Sequence, residues 1–197
     1  MRALYLAGPD IFRPDAEDHG ARLKQLCAAR GVKGIYPLDG APSSAGAETI
    51  RRRCMAEIDG ADAIVANITP FRGPHMDPGT AFELGYAEAR GKPVFLWSAN
   101  PHDLVKRVGA PGQDGWRDAD GHAVEDFGGR ENLMIAPPGV TVFETPEAAI
   151  AAAADALEVH PPRPAPSRAP LGLLQMIGIA AAVALAAGYL GDRFLFK

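Results

Sequence analysis

The sequence predicts a doubly wound α/β domain with a five-stranded parallel sheet, followed by a membrane-spanning helix near the carboxyl end. Short apolar runs alternate with helix-length segments over residues 1–158, which is the pattern of parallel strands joined by helical crossovers. The chain then carries a proline-rich stretch and an uncharged apolar run. With 197 residues, 47% hydrophobic and 22% charged, it can form one globular core and an additional segment.

The predicted elements follow one another in a regular order. Strands are predicted at residues 3–7, 34–38, 61–68, 93–97 and 140–144. Helices are predicted at residues 15–30, 47–60, 78–90 and 146–158, with a short one at 101–108 inside a Gly- and Pro-rich excursion over 100–139. Right-handed crossovers give the strand order 2-1-3-4-5, which makes the predicted fold flavodoxin-like.

The helix at 78–90 has clear start and stop signals and carries a carboxylate in its interior. Asp77 is a good N-cap, Pro78 suits the first helical position, and Gly91 with Pro93 ends the helix. Glu83 then lies about one and a half turns inside the helix. Its neighbours three and four residues away are mostly small, so a ligand can approach its carboxylate closely.

The predicted topology also indicates where a ligand binds. Open α/β sheets bind ligands beyond the carboxyl ends of the strands at the switch point, here between the first and third strands. The loops at that place are residues 8–14, 38–42 and 69–76. The sequence has no G-x-G-x-x-G after the first strand and no G-x-x-x-x-G-K-[ST], which disfavours a dinucleotide or a triphosphate.

Composition excludes several classes of partner. A net charge of -4 and a pI near 5.7 are not those of a protein that binds a nucleic-acid polymer. The one basic run, Arg51 to Arg53, is interpreted as solvated helix surface. Two cysteines, Cys27 and Cys54, indicate a reducing compartment, and the five histidines show no metal-ligand spacing, so no metal site is expected.

Three segments together resemble the nucleoside 2-deoxyribosyltransferase family, over residues 1 to about 156. They are L-Y-L-A-G-P-D-I-F at 4–12, A-N-I-T-P-F-R-G at 66–73 and D-P-G-T-A-F-E-L-G-Y-A at 77–87. Cleaving an N-glycosidic bond needs a carboxylate that attacks or supports the anomeric carbon, and Glu83 fits that role. The resemblance implies a cofactor-free transfer of 2-deoxyribose between nucleobases through a covalent intermediate on Glu83. It also implies that Asp77 binds the sugar hydroxyls and that the Tyr5 hydroxyl orients Glu83.

The resemblance further implies a shared site in a homo-oligomer. The segment V-E-D-F-G-G-R-E-N-L-M-I at 124–135 is similar to a family segment that reaches the sugar 5'-hydroxyl of a neighbouring subunit, so Asn132 and Met134 are expected to act in trans. Cys54 stands where family members commonly have an Asn or Asp that contacts the base, and a thiol is a weak hydrogen-bonding group. The other residues expected to contact the deoxynucleoside or free base are Gly8, Phe12, Asp39, Asp62 and Asn67.

Other functions remain open at this point. A related N-glycosidase that hydrolyses 2'-deoxynucleoside 5'-monophosphates shares the fold and the glutamate, although the D-x-G-T arrangement and Asn132 favour the transferase. A non-catalytic nucleotide-sensing module tethered to a membrane is a second alternative, and hydrolysis with water as acceptor is a third.

The carboxyl end predicts a membrane anchor. Residues 159–170 form a Pro-rich linker, and residues 171–190 carry one polar side-chain amide, Gln175, and no charge. Twenty helical residues span about 30 Å, the thickness of a bilayer core. Because the first residues form a strand and not a signal peptide, we expect a single-pass anchor in the lipid bilayer with the catalytic domain in the cytoplasm. An Ala-rich helix packed on the domain or on a partner chain is the alternative.

Overall fold

A computed structural model describes residues 1–40 and 45–159 and contains a five-stranded sheet in the order β2-β1-β3-β4-β7, parallel throughout. The strands are β1 (Ala3–Ala7), β2 (Lys33–Ile35), β3 (Ala63–Asn67), β4 (Val94–Trp97), β5 (Ala110–Gly112), β6 (Gly115–Arg117) and β7 (Val142–Phe143). The α-helices are α1 (Ala16–Ala29), α2 (Ala47–Gly60), α3 (Pro78–Ala89), α4 (Leu104–Val108) and α5 (Pro146–Val159). The sheet and its strand order agree with the prediction.

The central strands are buried on both faces, which explains their near-continuous apolar sequences. Side chains of a strand alternate between faces, so Leu4 and Leu6 pack with α1 and α5, while Tyr5 and Ala7 pack on the side of α2 and α3. Two hydrophobic clusters result, one on each face of the sheet. They hold the strands rigidly, and the loops at the carboxyl ends of these strands extend from that support.

Two contacts at the carboxyl ends of β1 and β3 depend on particular residues. Ala7 lies opposite Ala66 in the sheet, so Gly8 comes beside Asn67. A Cβ on Gly8 would lie 2.8 Å from the Asn67 Cβ, and only glycine permits this approach. Asp77 caps α3 by accepting hydrogen bonds from the Thr80 amide at 2.8 Å and its hydroxyl at 3.0 Å.

The excursion between β4 and β7 contains structure that the sequence did not predict. Strands β5 and β6 form an antiparallel hairpin that closes at Gly115, whose φ of 101° favours glycine. The short helix α4 begins at Leu104, three residues later than expected at residue 101. Its first amide donates to the Gly129 carbonyl at 2.9 Å, which ties the helix to the later part of the excursion.

The predicted membrane-spanning helix requires a correction. Within residues 1–40 and 45–159, no helix is long and apolar enough to cross a bilayer. The longest helices there have 14 residues, about 21 Å, against the roughly 30 Å of a bilayer core. The predicted span at 171–190 lies outside the described residues, as does the linker apart from its first residue. The fold class stated for the described residues is the α/β domain, and the membrane-spanning helix, the single-pass membrane localisation and the lipid partner are not retained.

Candidate active site

A cavity of about 480 Å³ lies where the loops after β1 and β2 meet the first turns of α3. Its polar side is formed by Asp77, Thr80 and Glu83. Apolar side chains, including Phe12 and Leu38, line another part of the cavity. The structure thus places Gly8, Phe12, Asp77 and Glu83, four of the predicted site residues, around one cavity at the predicted edge of the sheet.

Glu83 is bound directly by Tyr5 from beneath the cavity. The fully buried Tyr5 hydroxyl donates to Glu83 Oε1 over 2.7 Å. Burial raises the pKa of Glu83 to about 7; the negative charges of Asp77 and Glu57 act in the same direction, and the Tyr5 hydrogen bond opposes them. Burial and the Glu83 charge raise the pKa of Tyr5 far above its usual value, so the phenol stays protonated as a donor. One carboxylate oxygen of Glu83 is therefore held in place.

Asn67 organises the loops beside the cavity. Its side chain is 5% exposed, donates to Asp10 Oδ2 over 2.9 Å and accepts from the Thr69 amide over 2.9 Å. The carboxylate of Asp10 is also 3.3 Å from His19 Nε2. This buried group joins the loop after β1 to the loop after β3. Asp10 was not among the predicted site residues, although its place in the first functional loop was a usable signal.

The structure does not bring Asp39 and Asp62 to the cavity. Asp62 lies before β3, at the amino ends of the strands, where it binds the Arg2 guanidinium at 2.8 Å and the Ala3 amide at 2.8 Å. Asp39 is bound by Lys24 at 2.5 Å and by the Tyr36 amide at 3.1 Å. Both carboxylates therefore stabilise the ends of strands instead of facing the cavity.

Asn132 and Met134 also do not line the cavity of their own chain. The Asn132 amide donates to Glu125 Oε2 over 3.0 Å, and its side-chain oxygen accepts from the Met134 amide over 3.0 Å. Met134 is 75% exposed. Their expected role in a neighbouring subunit's site stays a prediction.

Helix α2 contributes Arg53 and Cys54 to the cavity lining, and of these two the sequence analysis did not foresee Arg53. Arg53, interpreted as solvated surface, lines the cavity and donates to the carbonyls of Pro37 and Asp39. Cys54 also lines the cavity, and burial raises the pKa of its thiol. A three-residue basic run points in several directions around a helix, so the sequence alone gave no reason to single out Arg53.

Two aromatic rings and a guanidinium stack together beside the cavity. The Phe12 and Phe71 ring centroids are 5.5 Å apart with an interplanar angle of 13°. The Arg72 guanidinium carbon lies 4.8 Å from the Phe12 centroid and 4.6 Å from that of Phe71. Arg72 has a φ of 54°, an uncommon conformation for a residue with a side chain. The stack therefore holds the Phe12 side chain in place in the cavity wall.

Comparisons with known proteins identify the family of this chain. A family model described as nucleoside 2-deoxyribosyltransferase matches residues 4–134, about two thirds of the chain. The chain belongs to the nucleoside 2-deoxyribosyltransferase family. The solved structure of a 2-desoxiribosyltransferase from Leishmania mexicana superposes on this chain with a TM-score of 0.69. The two are 36% identical in sequence, and the match covers 79% of this chain and 98% of that one.

Two further relatives are more partial or more distant. An uncharacterized protein of Schizosaccharomyces pombe is 37% identical over 127 residues, and the match spans 59% of this chain and 59% of that relative's length. A CMP N-glycosidase from Clostridium botulinum superposes with a TM-score of 0.43 at 14% identity, covering 81% of this chain and all of that one. A likeness of that size does not bear on the reaction.

Proposed function

We propose that the cavity transfers 2-deoxyribose from a deoxynucleoside to a second nucleobase, with Glu83 as the nucleophile. The observation that carries the proposal is the 2.7 Å hydrogen bond from the buried Tyr5 hydroxyl to Glu83 Oε1, at the wall of a cavity that Asp77 also lines. Held by one oxygen, the carboxylate presents the other to a sugar carbon.

The reaction consists of two displacements at the anomeric carbon. Glu83 attacks that carbon as the N-glycosidic bond breaks, and the departing base takes the bond electrons and a proton from water. A second base then attacks the same carbon, which releases Glu83 and returns a proton to water. In this proposal Asp77 binds the sugar hydroxyls, and the small Gly79 side of the helix lets the sugar approach.

The proposal needs no cofactor, and its substrates are deoxynucleosides and free nucleobases. The apolar side of the cavity, with Phe12 and Leu38, suits the flat face of a base. Asn132 and Met134 would complete the site of a neighbouring subunit in a homo-oligomer.

One incubation separates transfer from the alternatives. The protein is mixed with deoxyinosine and adenine, and the products are resolved by chromatography. Deoxyadenosine with hypoxanthine indicates transfer, whereas hypoxanthine with free deoxyribose indicates hydrolysis. Deoxyinosine 5'-monophosphate is offered in parallel, because cleavage of this compound alone identifies a monophosphate N-glycosidase. A non-catalytic binding module forms none of these products.

The Glu83→Ala variant tests the nucleophile. We expect it to lose about 10³-fold or more in transfer, roughly 4 kcal/mol of transition-state stabilisation, because no covalent sugar intermediate can form. The matched control is Glu88→Ala, which removes an exposed carboxylate from the same helix and should leave transfer unchanged. Transfer by Glu83→Ala at the rate of the unaltered protein would end the proposal.

A further inference from the structure

A buried carboxylate outside the cavity holds the loop that leads to Asp77. Glu131 is 2% exposed, and each of its oxygens accepts two hydrogen bonds. Oε1 accepts from His75 Nδ1 at 2.8 Å and from the Asn132 amide at 3.1 Å. Oε2 accepts from the Met76 amide at 3.0 Å and from Arg107 Nη2 at 3.1 Å. The group is therefore fully bonded within the protein.

Arg107 extends this attachment along the same loop. Its side chain is 7% exposed and also donates to the Pro74 carbonyl at 2.9 Å and the His102 carbonyl at 2.7 Å. The backbone is consequently held at residues 74 and 76, immediately before Asp77. Charge-assisted hydrogen bonds of a buried ion pair are strong and directional, so they fix position more firmly than apolar packing alone.

We propose that Glu131 is a positioning residue for the sugar site: it sets the place of Asp77 through the Met76 amide without touching the substrate. The inference rests on the proposed function, in which Asp77 binds the sugar hydroxyls. The same carboxylate also accepts a hydrogen bond from the Asn132 backbone amide, but the proposed positioning role concerns Asp77 alone.

The Glu131→Gln variant tests the proposal, because an amide has one acceptor oxygen where the carboxylate has two. The new NH₂ group must face either the Met76 amide or the Asn132 amide, and neither can bond to it. We expect the first-order rate of hypoxanthine release from bound deoxyinosine to fall about 10–100-fold, since small displacements of a positioned group are costly. The control Glu144→Gln alters an exposed carboxylate near Arg130 and should change nothing.

A double-mutant cycle distinguishes positioning from general destabilisation. Deoxyinosine binding is measured by calorimetry in the non-reacting Glu83→Ala protein, with Glu131→Gln and Asp77→Ala introduced singly and together. If Glu131 acts through Asp77, Glu131→Gln weakens binding when Asp77 is present and has little further effect when it is absent. Equal effects in both backgrounds, or no effect in either, would overturn the proposal.

A substitute variant and a separate measurement distinguish a folding failure and a failure of the proposed reaction from a failure of the positioning role. Should Glu131→Gln not fold, Arg107→Lys replaces it in both measurements, because lysine keeps the charge but cannot reach the Pro74 and His102 carbonyls together with Glu131. Failure of the proposed reaction is seen independently as the absence of hypoxanthine release by the unaltered protein. The binding cycle still tests the positioning role in that case, because it requires no turnover.

Discussion

At the scale of single residues, the proposed reaction depends on whether the Glu83 carboxyl group is ionised. Burial opposes the charge, and the nearby negative charges of Asp77 and Glu57 add to that opposition. The pKa of about 7 means that a large fraction of Glu83 is protonated at neutral pH. Only the ionised form is a nucleophile, so the proposed reaction should respond to pH in the neutral range.

The pH dependence of transfer tests the environment of Glu83. We expect the rate of the first displacement to rise with pH and to level off above about 7. The Tyr5→Phe variant lacks the hydrogen bond that stabilises the ionised form, so its rising limb should move to higher pH. Rates are measured in single turnovers from pH 5 to 9. A limb at the same pH in both proteins would contradict this account of Tyr5.

The same pKa predicts how stability depends on pH. Between the ordinary carboxyl value of 4.5 and the folded value of about 7, the folded protein binds more protons than the unfolded chain, so its stability falls as pH rises. Glu83→Gln has no such dependence. We therefore expect Glu83→Gln to gain up to about 3 kcal/mol relative to the unaltered protein between pH 4.5 and pH 8. The free energies of unfolding of both proteins are measured by urea unfolding at pH 4.5 and at pH 8. A difference between the two proteins that is the same at both pH values would contradict the expectation.

At the scale of elements, the contact between α1 and the chain after β2 is unusually close. Gly20 faces the ring of Tyr36, and a Cβ there would lie 2.4 Å from the ring carbon Cδ1. Tyr36 is 2% exposed, so its ring has little room to move. A glycine within a helix normally costs stability, and here the cost is offset by close packing of the helix on the sheet.

Paired glycine substitutions test that packing. Gly20→Ala should lower the free energy of unfolding by about 1–3 kcal/mol, because the added methyl overpacks a tight contact. Gly85→Ala in α3 is the matched control: a Cβ added there would meet nothing within 4 Å, and the substitution should raise the free energy of unfolding by about 0.5–1 kcal/mol. Both are measured by urea unfolding. Equal effects of the two substitutions would show that the contact at Gly20 is looser than the structure has it.

An element could be predicted from the sequence when its signal lies within a short stretch of residues. Buried β3 and the capped helix α3 follow from an apolar run and from Asp77 with Pro78, so both were predicted within a few residues. The hairpin β5–β6 has only three residues in each strand and no apolar alternation, so periodicity could not reveal it. The positions of Asp39 and Asp62 outside the cavity lining could not be predicted, because their partners Lys24 and Arg2 come from other elements and sequence spacing does not show such contacts.

At the scale of the whole molecule, the cavity of one chain contains only part of the predicted site. Glu83 and Asp77 line it, whereas Asn132 lies in a segment that presents the exposed side chains of Phe127 and Met134. A segment that exposes large apolar side chains is a candidate for a surface that another chain covers. A second copy of the chain is the partner that the proposed shared site requires.

Mixing two inactive variants tests the shared site. If each site takes Glu83 from one chain and Asn132 from its neighbour, equal amounts of Glu83→Ala and Asn132→Ala chains should recover about one quarter of full transfer activity after exchange. A quarter of the sites then combine an intact Glu83 with an intact Asn132. Each variant alone is the control, and exchange is verified by isolating mixed oligomers through a tag on one variant. Mixed oligomers that remain inactive would show that each site is built within one chain, because an interface that supplies Asn132 must restore some intact sites.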